Sequence, residues 1–235
     1  MNLGELISNT KEFIFDIIGY IIPGFYAILL LSTCVNTIYF FQISDVTILE
    51  QTGSMILIAI SYIIGHGIYL LSNWTDKVTS RIKFLSINTD DKIWKCIANS
   101  IEYKLTLIAL NELYNAKNDL KVDINVEKEK SIRNLIMSYL PETDIKVYTF
   151  MFRAELSRVI GTLNLVIASL GFISIIFDLL NIGMEIFSTS NNCILLYTLL
   201  FVSYFLFDYT KGRFKRIAYS LPFTVFVSKY YPLKQ

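Results

Sequence analysis

Apolar and polar positions along this chain are organised on two scales. On the coarse scale, residues 12–76 and 159–210 contain no Lys or Arg and are dominated by Ile, Leu, Phe and Val. Each stretch is long enough for two membrane spans of about 20 residues and a short connection, so four spanning helices are expected, near 17–41, 54–72, 160–180 and 193–207. The fourth is short for a perpendicular crossing and gains length from flanking aromatic residues. On the fine scale, Ile145, Tyr148, Phe152, Leu156 and Val159 recur at three- and four-residue steps. They lead, with no proline or paired glycine, into the apolar run GTLNLVIASLGFISIIFDLL. The pattern predicts one unbroken helix over 142–180, about 60 Å long at 1.5 Å per residue, half in bilayer and half in solvent. Such a helix is a natural lever between a soluble domain and a membrane domain.

The remaining periodicity fills in the other elements. Leu3, Leu6, Ile7, Phe13 and Ile14 suit a short segment lying along the inner interface before the chain turns into the first span. Pro23 and Gly24 predict a kink in that span. A helix through RIKFLS comes next, then Thr89 as N-cap of a helix whose stripe Ile93, Ile97, Ile101, Leu105 and Ile108 ends near Asn115. A polar linker, KNDLKVDINVEKEK, separates it from a helix marked by Ile132, Leu135, Ile136 and Tyr139 and stopped by Pro141. The fold class is therefore all-α: a polytopic membrane protein with four transmembrane helices and a helical insertion between the second and third. Its parts are 1–72 (interfacial segment and first two spans), 73–158 (helical insertion), 159–208 (last two spans) and 209–235 (tail).

Charge adds an orientation. Of 21 cations, 14 lie between Lys77 and Arg158 and six between Lys211 and Lys234. Cytoplasmic flanks are rich in Lys and Arg, which places the insertion and both termini in the cytoplasm and the protein in the inner, plasma membrane. The two outer loops carry Asp45, Glu50, Asp178 and Glu185 and no cation, so a formal net charge of +1 hides a dipolar arrangement. Arg153, Glu155 and Arg158 are expected to snorkel at the membrane surface. The insertion mixes 14 cations with 12 acids, an ordinary solvated surface with no call for nucleic acid. The tail has six cations, no acid and interleaved aromatics, so Lys211, Arg213, Lys215 and Arg216 suit anionic lipid or, equally, docking on the insertion.

Chemistry is sparse. Cys34, Cys96 and Cys193 are far apart and belong to no CxxC or Cys/His cluster, which argues against a disulfide framework or zinc site. There is no GxxxxGK[ST], GxGxxG, HExxH or GxSxG, and no cofactor or metal is expected. The first apolar run is too long for a cleavable signal peptide and is expected to act as a signal anchor. Polar residues within the spans include Ser32, Asn36, His66, Thr162 and Asn164. They are candidates to line a pore, with helix-to-helix hydrogen bonding as the alternative. His66 and Asn164 sit at matching depth and form a candidate pair; catalysis in lipid would need such a pair, or His66 with Asp16, and a non-enzymatic protein is expected. Ser61 and Gly65 form a small-xxx-small pair suited to close helix contact.

Through DIIGYIIPGFYAILLLS, YIIGHGIYLLS and FRAELSRVIGTLNLVIASLGF, the chain resembles small membrane proteins encoded beside prokaryotic defence genes, including CRISPR-associated and Argonaute-associated loci. The resemblance implies a membrane effector that disturbs the envelope of an infected cell once a soluble partner activates it; no nuclease, NADase or nucleotide-sensing motif accompanies it. The expected function is an oligomeric effector that forms or gates an ion leak, the pore being assembled between copies. The main rival is an anchor that holds a soluble partner at the membrane, and a small transporter is third.

Overall fold

The computed structural model describes residues 3–35, 52–82, 90–115, 129–140, 143–182 and 187–231. The helices among them are α1 (Leu3–Cys34), α2 (Thr52–Thr79), α3 (Asp90–Ala98), α4 (Ile101–Asn115), α5 (Glu129–Tyr139), α6 (Asp144–Leu179) and α7 (Asn191–Tyr230). Helices α1, α2, α6 and α7 are long and apolar enough to cross a membrane. The chain divides into two compact units, each drawn from two stretches: Met1–Ile87 with Glu155–Tyr209, and Asn88–Ala154 with Thr210–Gln235.

The first unit has a core made by Ala27, Leu30 and Cys34 of α1, Ile68 of α2, Val159, Leu163 and Ile167 of α6, and Tyr197 and Leu200 of α7. Helices α1 and α2 approach backbone to backbone because each contributes a glycine. A Cβ on Gly24 would overlap the Ser61 carbonyl, and one on Gly65 would overlap the Tyr20 carbonyl. The buried face of α2 is Ser61, Gly65, Ile68, Ser72, Thr75 and Thr79, all but Ile68 small or hydroxylated, at alternating steps of four and three. The hydroxyls of Ser72, Thr75 and Thr79 donate to carbonyls of their own helix at 2.8, 2.8 and 2.9 Å, so they are satisfied without widening the contact. Gly171 of α6 leaves room for the Tyr197 ring. That fully buried tyrosine donates to the Ser188 carbonyl at 2.9 Å, and the Ser188 N–H donates to the Cys34 carbonyl at 2.8 Å, tying the end of α1 to the entry of α7. Helix α6 stops where Asn181 turns left-handed (φ 55°), with the Ile182 N–H bonded back to the Phe177 carbonyl at 3.0 Å.

The second unit packs Ile93, Trp94 and Ile97 of α3, Tyr103, Ala109 and Leu110 of α4, Ile132, Ile136 and Leu140 around α5, and Phe223 and Phe226 of α7.

Four expectations are corrected. The N-terminal segment is not a separate element: α1 runs as one helix from Leu3 through Pro23 to Cys34. The stripe from Ile93 to Ile108 does not continue as one helix. Ser100 starts a new one, its Oγ accepting the Tyr103 N–H at 3.2 Å, and this rephasing leaves Ile101 and Ile108 exposed while Tyr103, Thr106 and Leu110 are buried. The stripe on α6 is likewise offset, Ile145 being exposed and Val147 and Ala154 buried. Finally, the fourth span and the tail are one 40-residue helix, and Ala218, Phe223 and Phe226 of the tail are buried. The outer loop at 42–51, Thr89, most of RIKFLS and most of the polar linker lie outside the described residues.

Candidate functional site

Among the described residues of the first unit, three polar clusters involve side chains singled out from the sequence. The most highly charged is centred on Arg158 of α6, whose side chain is 8% exposed. Its Nη1 donates to Asn73 Oδ1 at 2.7 Å and to Asp76 Oδ2 at 3.2 Å, both on α2, and its Nε lies 2.7 Å from Glu155 Oε2 one turn earlier. The guanidinium also lies over the Tyr69 ring, 4.9 Å from its centroid, and the Tyr69 hydroxyl donates to the same Glu155 oxygen at 3.0 Å. A planar fork with five donors is suited to hold two carboxylates, an amide and a ring at once, which the point charge of a lysine is not. Arg158 and Glu155 are ion-paired within the packing of α6 on α2, because α2 carries its polar partners far enough along to meet them.

The second cluster is centred on Asn164, 1% exposed. The Tyr26 hydroxyl of α1 donates to its Oδ1 at 2.9 Å, and its Nδ2 donates to Ser203 Oγ of α7 at 2.7 Å. Asn164 thus joins three helices through both ends of one amide. The third is aromatic. His66 stacks on Tyr20 (centroids 3.7 Å apart, planes at 20°) and meets Tyr62 edge-on at 4.7 Å. The expected pair of His66 and Asn164 does not form: Asn164 takes Tyr26 and Ser203 as partners, and His66 is exposed among tyrosines.

Of the other candidate lining residues, Thr162 is buried and Ser32 is exposed with its hydroxyl donating to the Leu29 carbonyl at 2.8 Å. Asn36 lies outside the described residues. Among the described candidates, Ser32 and His66 are exposed, whereas Thr162 and Asn164 are buried. Ser61 and Gly65 stand at the α1 and α2 crossing described above.

In the second unit, Tyr219 of α7 stacks on Trp94 (4.7 Å, 15°) and lies beneath Arg133 at 5.4 Å. Burial pulls the Arg133 pKa down from its ordinary value, against the opposing pull of Tyr219 and Asp144. Lys215, one of the four tail cations, is paired with Asp90 at 3.0 Å, while Arg213 and Arg216 are exposed and Lys211 is half-buried. Sequence reasoning missed Tyr26, Tyr69, Asn73 and Asp76 as partners; their only signal was a polar or amphipathic side chain at an i, i+3 or i+4 step on an apolar helix. Among the described residues, no group of three or more His, Cys, Asp or Glu side chains is arranged to hold a metal ion. No protein family, curated protein or solved structure matches this chain.

Proposed function

We propose that this protein is an integral membrane effector that works as an oligomer, in which a signal received by the helical insertion is converted into an ion leak through the spans. The observation that carries the reading is the continuity of two helices. Helices α6 and α7 each pass without interruption from one compact unit into the other, so rotation or tilt imposed on residues 144–154 or 210–230 is carried by hydrogen-bonded helix into apolar segments. The resemblance to membrane proteins of defence loci supplies the setting, antiviral defence with a soluble activator. Arg158 and Asn164, both buried in the first unit, are paired with other side chains of that unit, which favours a pore formed between copies over one within a single chain.

The same pairing supports the rival reading, an anchor whose spans only hold a soluble partner at the membrane. Dye and ion leakage from cells expressing the chain, with and without the products of its neighbouring genes, separates the two. Partner-dependent leakage that is lost when residues 90–140 are deleted supports the gated leak. An intact membrane potential under all conditions, together with tolerance of α2 to replacement by an unrelated apolar helix, overturns it in favour of the anchor.

A further inference from the structure

Helix α2 has a second seam that no described residue covers. Opposite its buried face, Ile56, Ile60, Ile63, Gly67, Leu70 and Trp74 recur at steps of four, three, four, three and four, and every one is exposed. This is the 3.5-residue spacing with which helices pack side by side at a shallow crossing angle. Gly67 stands in the middle of the seam, and a Cβ added there meets nothing within 4 Å, unlike one on Gly65 two residues earlier.

Beside the seam lies the aromatic cluster. His66 lies within the apolar stretch 54–72, six residues from its end at residue 72. It is exposed, Tyr62 is exposed and Tyr20 half-buried, and among the described residues none of these three side chains makes a hydrogen bond. In a membrane, hydrocarbon tails offer no partner to an imidazole and two phenols at that depth, so leaving this face to lipid is costly.

We infer that the seam is the contact with a second copy of this chain. This rests on the membrane reading above and names the interface that the oligomer would use. A second copy is favoured because the patch is its own complement: phenol O–H groups donate, and an imidazole both donates and accepts. Two copies inserted the same way round meet only with parallel α2 helices, which sets Gly67 against its counterpart and lets the backbones approach there. His66 then reaches Tyr62 or Tyr20 of the second copy at the same depth.

The test uses the full chain in lipid nanodiscs, with mass measured by light scattering. The wild type is expected at a multiple of the 27.1 kDa chain. Gly67→Leu is expected to run as a single chain with unchanged helix content, since its side chain enters open space within one copy. His66→Leu is expected to weaken association about tenfold, as for one interhelical hydrogen bond in lipid. Independently, Leu70→Cys should cross-link in native membranes and Leu206→Cys, an equally exposed position on α7, should not. A wild type that is a single chain overturns the inference, as does an assembly that survives Gly67→Leu. Cross-linking through Leu206→Cys but not Leu70→Cys overturns it even where Gly67→Leu does not fold. An α2 contact confirmed in a protein that never leaks would sink the leak and leave the interface standing.

Discussion

Two glycines two residues apart on α2 face opposite fates. At Gly65 an added methyl would enter the Tyr20 carbonyl, and at Gly67 it would enter open space. Gly65→Ala is therefore expected to destabilise the first unit by about 1–3 kcal/mol through overpacking. Gly67→Ala is expected to leave it unchanged or to stabilise it by about 1 kcal/mol through helix propensity. Thermal melts in a single detergent compare the two directly, and equal losses would mean that α1 and α2 do not cross at this point. Asn164→Leu removes one amide and strands the Tyr26 hydroxyl, while Ser203 keeps its own bond to the Leu200 carbonyl. A loss of about 1–2 kcal/mol is expected, and the double variant with Tyr26→Phe should lose less than the sum of the single changes. Additive losses would show that the bond contributes nothing.

The lengths of the elements were more legible than their phases. A helix predicted over 142–180 is observed as Asp144–Leu179, because an unbroken apolar run with no proline leaves few alternatives. Its buried face was misjudged, since Ile145 is exposed while Ala154, a residue no hydrophobic stripe would select, is fully buried. On α2 the difficulty is sharper: the buried face is the small, hydroxylated one and the exposed face is aliphatic, inverting the pattern of a soluble helix. In the insertion, Ser100 was passed over because apolar spacing runs straight through it, yet its cap resets the register of α4. Ser100→Ala is expected to destabilise the second unit by about 1 kcal/mol. Restoration by Ser100→Asp, read from the denaturant midpoint, would assign the loss to the cap.

On the scale of the whole molecule, neither unit is continuous in sequence, and the C-terminal stretch closes the second. The tail was read from sequence as a basic strip equally suited to lipid or to the insertion, because composition reports its cations but not which face of a helix they occupy. Its aromatics pack on the insertion: Phe223 and Phe226 are fully buried in the core, and Tyr219 stacks on Trp94, while Arg213 and Arg216 stay exposed. Burying one large apolar side chain contributes about 1.5–3 kcal/mol, and a small domain is stable by only about 5–15 kcal/mol in total. Truncation after Tyr209 removes all of these side chains together and should unfold the insertion, even though every residue of the insertion remains. Limited proteolysis of membranes is the direct assay. Residues 90–140 should become cleavable within the time in which the intact chain is stable, while the four apolar segments stay protected by lipid. Phe223→Ala with Phe226→Ala should move the same way without shortening the chain. Protection of the insertion after truncation would mean that α3, α4 and α5 hold together alone and that α7 rests on them without supporting them.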